Sequence, residues 1–186
     1  ATHGAKYDAS SLAAEALLVS EVLDRAGFST ASFIANGHVS RDFGFDQGWD
    51  HYTNYIRESR TTRAETVFGE AATWIEAHRG ERFFAYVHFR EPHFPYDPPR
   101  PFDTKFGPDG PIPKAARRDA AFFTDVNQGR RPFGDAERQH LVRLFDGNLA
   151  FADQEVGALR RALEAEGLWE KTVIVVAADH GEELFE

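Results

Sequence analysis

The chain has 186 residues, 42% of them apolar, and carries 21 Lys and Arg against 30 Asp and Glu, a formal charge of −9. That length and apolar share suit one globular domain with a buried core and exclude a disordered chain. The acidic balance excludes a nucleic-acid partner, which would need clustered cations, and the absence of Cys excludes disulfides and thiol catalysis within this stretch.

The short basic pairs Arg117-Arg118, Arg130-Arg131 and Arg160-Arg161 read as solvated surface. No run approaches the ~20 apolar residues of a membrane-spanning helix, and the opening Ala1-Thr2-His3-Gly4 has no signal-peptide pattern. Both ends read as cuts in a longer chain, so localisation and oligomeric state stay open.

Ser10 or Ser11 can cap a first helix over roughly 11–26, with Leu12, Ala16, Val19, Leu23 and Ala26 on one face and Gly27 as its stop. Thr30 to Ala35 reads as a buried strand ending at the turn Asn36-Gly37. Thr62-x-x-Glu65 predicts the capping box of a second helix over 63–79, with Ala64, Val67, Phe68, Ala71 and Ile75 as its apolar face and Gly80 closing it. Phe83 to Phe89 is nearly continuous apolar sequence, as in a central strand covered on both faces.

Five prolines fall between residues 92 and 101, and 90–134 shows no sustained period beyond a short helix near 114–123. A loop region of that length reads as a lid over a site. Asp135 then caps a long helix through Leu141, Phe145, Leu149, Ala152, Val156, Leu159 and Leu163, with Gly167 as its stop. Thr172 to Ala178, TVIVVAA, predicts a further buried strand. Helix and strand units in series predict an α/β fold with a largely parallel sheet covered by helices.

In such sheets ligands sit at the carboxyl ends of strands. Three predicted strands end on polar residues: Asn36 with His38, His88 with His93, and Asp179 with His180. A carboxylate beside an imidazole can hold a cation, and Glu182 and Glu183 make the surroundings strongly negative. On spacing alone, Asp179-x-x-Glu182 is equally a capping box. The proline loop can simply hold His93, and His88 between aromatic residues also fits a satisfied core histidine. Asp46 and Asp50 in GFDQGWD fit a packed turn better than a calcium loop, and His51, His78 and His140 show no pattern.

AADHGEEL after a strand, with Pro-His-x-Pro-Tyr-x-Pro-Pro upstream, resembles the order of motifs in the sulfatase family of the alkaline phosphatase superfamily. The resemblance covers the whole chain, including Leu12 to Thr30, Gly44 to Asp50 and Asp146-Gly147-Asn148. It implies a partial sulfatase-like catalytic domain over 1–186, with the 90–134 region as loop or lid. It implies Asp179 and His180 as metal ligands, Ca²⁺ first with Mg²⁺ or Mn²⁺ as alternatives. His93 would contact the sulfate or the leaving oxygen, with His38 as a second catalytic histidine and Asn36 as a substrate contact; His88, from its place at a strand end, is a further candidate substrate contact.

His3-Gly4 resembles the family's His-Gly after the nucleophile segment. The Cys/Ser-x-Pro-x-Arg nucleophile, formylglycine in sulfatases, and two acidic ligands are therefore expected outside this chain, leaving the isolated piece inactive. The implied substrate is a small-molecule or carbohydrate sulfate or phosphate ester. No lysine lies between Lys6 and Lys105, where many sulfatases carry Gly-Lys-Trp-His, which keeps a phosphodiester or phosphonate hydrolase, or a phosphoglycerol transferase, as an alternative. A non-catalytic α/β binding module is the reading from another class.

Overall fold

In the computed structural model, residues 11–184 are described; His3-Gly4 and Ser10 lie outside them. The chain divides into two compact units, one of residues 1–90 with 158–171 and one of residues 91–157 with 172–186.

The first unit is built on a parallel sheet. Strands β1 (Ser29–Ile34), β2 (His51–Asn54) and β3 (Phe83–His88) lie in the order β2-β1-β3, and both pairings are parallel. β1 is central and buried from Thr30 to Ile34, as its short apolar and β-branched sequence predicts. Helix α2 (Ala64–Ala77) buries Ala64, Val67, Phe68, Ala71 and Ile75, the five residues of its predicted apolar face. Of these, Val67 and Ala71 pack with Ala31, Phe33, Ala35 and Tyr55 into one core cluster. A second cluster joins Ile75 to Leu163 and Leu168.

Two expectations fail at helix starts. Helix α1 (Val19–Arg25) is shorter than 11–26, because the Leu12 N–H donates to the Phe43 carbonyl at 2.8 Å and draws residues 11–17 away from helical pairing. Its start is held by Glu21, whose carboxylate accepts from the Leu18 N–H at 2.9 Å. The N-cap of α2 is Arg63, with no side-chain cap bond, so Thr62 and Glu65 form no capping box.

The edge strand β2 is absent from the sequence reading, being only four residues long. The turn before it is packed as expected. Trp49 stacks on Phe84 at 5.3 Å, and Asp50 Oδ2 accepts from the Thr30 N–H at 2.8 Å. Gly48 has φ +73, and a Cβ there would meet the Glu21 backbone nitrogen at 2.4 Å, so only glycine fits that approach.

The second unit has a core of Tyr96, Ile112, Ala116, Phe123, Leu141, Leu144 and Leu184. Its loop region includes 3-10 turns at Phe102–Thr104 and Ala116–Arg118 and helix α3 (Ala120–Asn127), capped by Asp119 through the Ala121 N–H at 2.9 Å. Helix α4 (Asp135–Ala165) runs for 31 residues; its first part, to Gly157, belongs to this unit. Leu141, Leu144, Phe151 and Ala152 are buried on α4, whereas Leu149, predicted on the same face, is exposed.

Residues 172–178 depart from prediction. They form no strand, and Val173, Val175 and Val176 are exposed at 89%, 82% and 75%. β-branched composition favours an extended backbone, but a ladder also needs a partner edge, which local sequence does not supply. Among the described residues, no helix is long and apolar enough to cross a membrane.

Candidate active site

Within the second unit, the proline segment and the C-terminal segment meet. The rings of His93 and His180 lie 6.4 Å apart, edge to face. His93 is exposed, and its Nδ1 lies 2.8 Å from the Phe94 carbonyl oxygen. A carbonyl only accepts, so Nδ1 carries the proton and Nε2 is the outward nitrogen.

His180 repeats this arrangement. Its Nδ1 donates to the Gly181 carbonyl at 2.7 Å, and its Nε2 lies 3.8 Å from Asp179 Oδ2. The Gly181 carbonyl, then Asp179, favours the imidazolium and raises the His180 pKa above its ordinary value. In the neutral ring, an Nδ1–H bound to a carbonyl leaves an Nε2 lone pair for a metal, as ligating histidines commonly do. Two donors 3.8 Å apart can share one cation at ligand distances of about 2.0–2.6 Å. They amount to part of a site, since a hard cation takes about six to eight ligands. Among the described residues, no group of three or more His, Asp or Glu gathers at metal-binding distance.

Asp179 begins no helix within the described residues; its Oδ1 accepts from the His180 N–H at 3.0 Å. Glu182 accepts from the Tyr96 hydroxyl at 2.5 Å instead of capping a helix. Burial and that carboxylate push the Tyr96 pKa well above its usual range. Leu184 is buried in the core and pins the segment that carries both glutamates. Phe94, Tyr96, Phe123, Asn127, Glu182 and Glu183 line a cleft of about 320 Å³.

The other predicted site residues belong to the first unit. Asn36 follows β1, and its Oδ1 accepts from the His38 N–H at 2.9 Å, which turns the chain and leaves the His38 ring exposed. His88 ends β3, in register with Ile34 of β1, and its carbonyl accepts from the Ala35 N–H at 3.0 Å. Asn36, His38 and His88 thus lie at the carboxyl ends of neighbouring strands.

Arg117, expected as solvated surface, is only 1% exposed, and His140, for which the sequence leaves a surface or a structural role open, takes the structural one at 1% exposure. Arg117 pairs with Asp109, and His140 Nδ1 accepts from the Ile112 N–H at 3.1 Å. No local pattern marks such residues, because their partners come from loop backbone. Asn148 on α4 is likewise buried and donates to the Pro95 carbonyl at 3.0 Å, which gives the Asp146-Gly147-Asn148 resemblance a physical role.

A family model described as Sulfatase matches residues 2–186. The chain belongs to the sulfatase family. Its fold is similar to the solved structure of BT4656 in complex with its substrate D-glucosamine-2-N,6-O-disulfate, with a TM-score of 0.60 at 14% identity. That match covers 88% of this chain and 49% of the other, so this sulfatase-family chain spans about half the length of that relative. The parallel sheet and four described α-helices are the α/β fold that the sequence predicts.

Proposed function

We propose that the protein containing this chain hydrolyses sulfate esters of small alcohols or sugars, with His93, Asp179 and His180 in the reacting site. The observation that carries this reading is the approach of His93 to His180 from two separate sulfatase-like motifs. The BT4656 complex, whose substrate is a sulfated sugar, supports a carbohydrate ester as the substrate class.

Asp179 and His180 would hold a divalent cation, Ca²⁺ first, with the remaining ligands from elsewhere in the protein. A bound cation would supply charge stabilisation to the non-bridging ester oxygens. His93 acts on the leaving oxygen. When its imidazole is protonated, Nδ1–H keeps the Phe94 carbonyl and Nε2–H is free to donate to the departing alkoxide. The aromatic cleft beside this segment would receive the alcohol part of the ester. Asn36, His38 and His88, at the strand ends, are the proposed substrate contacts of the first unit.

The lysine-free stretch between Lys6 and Lys105 favours one second reading, phosphodiester or phosphonate hydrolysis at the same residues. Assay of the full-length protein on an aryl sulfate and an aryl phosphodiester, with and without chelator, tests both. Sulfatase activity that is lost with EDTA and in Asp179→Ala supports the first reading. Activity on the phosphodiester alone replaces it with the second. No hydrolysis of either, with no divalent cation retained, removes the enzyme reading.

A further inference from the structure

The segment that carries His93 is held by groups that the proposed chemistry does not use. The Pro95 carbonyl accepts from Asn148, the Tyr96 N–H donates to the Arg117 carbonyl at 3.0 Å, and Arg118 pairs with Asp97 at 3.1 Å. Arg117 in turn is gripped from its side-chain end. Its guanidinium donates to the Asp109 carboxylate and to the Ile112 carbonyl.

His140 completes the cluster from α4. The Ile112 N–H can only donate, so His140 Nδ1 is an acceptor and the proton of the neutral ring sits on Nε2, which lies 3.4 Å from Asp109 Oδ1 and 3.5 Å from Arg117 Nη2. The loop backbone lies directly on the imidazole, since a Cβ on Gly110 would meet the ring at 2.6 Å. This bond network therefore requires one protonation state.

We propose that His140, with Arg117 and Asp109, is a pH-dependent positioning device for the proline segment, holding His93 in place while its imidazole is neutral and releasing it on protonation. The proposal rests on the reading of His93 as the group that assists the leaving oxygen. Protonation turns Nδ1 into a second donor facing the Ile112 N–H, and leaves both groups buried without an acceptor. It also sets a cation against Arg117 from the loop and Arg143 from α4, with Asp109 as the opposing charge. Loss of the Ile112 bond loosens residues 109–117, and with them the Arg117 carbonyl that holds Tyr96. Burial first, and then Arg117, lower the pKa of His140, which places the release on the acid side of an ordinary histidine.

The test is amide hydrogen exchange of Ile112 and Tyr96 in the full-length protein between pH 7.5 and 5.0, corrected for intrinsic rates. A His93→Gln background removes any contribution of that ring to the exchange. Protection at both amides should fall together by roughly five- to tenfold, the scale of one lost hydrogen bond. His140→Asn, whose Oδ1 can accept from Ile112 without titrating, should abolish the pH response. An unchanged response in that variant overturns the proposal, as does loss at Ile112 with Tyr96 unaffected.

If His140→Asn does not fold, the ¹⁵N shifts of the wild-type ring decide. An unprotonated Nδ1 at pH 7.5 that titrates together with the Ile112 amide supports the device, and a protonated Nδ1 at that pH overturns it. With His93 intact, His140→Asn should also remove an acid loss of kcat while leaving KM within about twofold, a split expected when only transition-state positioning is touched. The exchange readout needs no substrate, so failure of the sulfatase reading and failure of this one are distinguishable.

Discussion

The two units reach order by different routes. In the first, a sheet and α2 bury Phe33, Ile34, Tyr55 and Val67 through regular periodicity, and most polar groups on β1 are satisfied by the ladder and by Asp50. In the second, long loops are held to α4 by individual buried polar residues, Arg117, His140 and Asn148, alongside an aromatic core. Apolar burial tolerates substitution by degrees, whereas a buried polar group is costly as soon as its partner is lost. Losses in the first unit should therefore scale with the apolar volume removed, and those in the second should concentrate at a few polar positions.

The largest expected effect is in the first unit's core. Phe33→Ala should destabilise by about 3–5 kcal/mol, since the ring is 1% exposed and packs on Trp74 and His51. A loss of unfolding free energy in urea below about 2 kcal/mol would mean the sheet is less tightly packed than described. Arg117→Ala should follow at about 2–4 kcal/mol, combining a cavity with broken bonds; the half-exposed Asp109 discounts the ion pair itself. Its mark is that proteolysis within 91–118 should accelerate more than cleavage in the first unit.

Gly147→Ala comes next. The new Cβ would meet the Phe102 carbonyl oxygen at 2.5 Å and Pro98 at 2.9 Å, so about 1–3 kcal/mol is expected in thermal unfolding despite alanine's better helix propensity. A neutral or stabilising result would show that the 98–102 turn yields easily. The acid side of the stability curve gives a smaller effect. The His140 pKa is lowered by burial, then by Arg117, so on acidification the unfolded chain binds the proton first. This contribution is complete above about pH 6.5 and declines as pH falls below it toward the folded-state value. His140→Asn should flatten that decline in denaturation measured from pH 7.5 to 5. Arg160→Ala on α4 should cost least, about 1 kcal/mol, because its i,i+4 pair with Glu164 and its seat 4.8 Å over the Trp169 ring are both surface contacts.

The family, the α/β class, β1, α2, β3 and the long helix α4 were all legible in the sequence. The elements announce themselves through local periodicity and the family through its motifs, and Gly27 and Gly167, at φ +77 and +66, mark helix ends as expected. The motifs that supply His93, Asp179 and His180 were legible too, but as separate stretches. Their approach was not, since it depends on Tyr96 reaching Glu182 and on Leu184 entering the core.

Sequence by itself determined which segments want to be helical or extended and which side chains carry suitable chemistry. Tertiary structure decided the rest: the edge strand β2, the course of 172–178 outside any strand, and the burial of Arg117 and His140. The physical reason is the range of the forces. Helix periodicity and turn chemistry act over a few residues, whereas a strand's ladder, a buried arginine and the approach of His93 to His180 each need a partner that the local sequence does not contain.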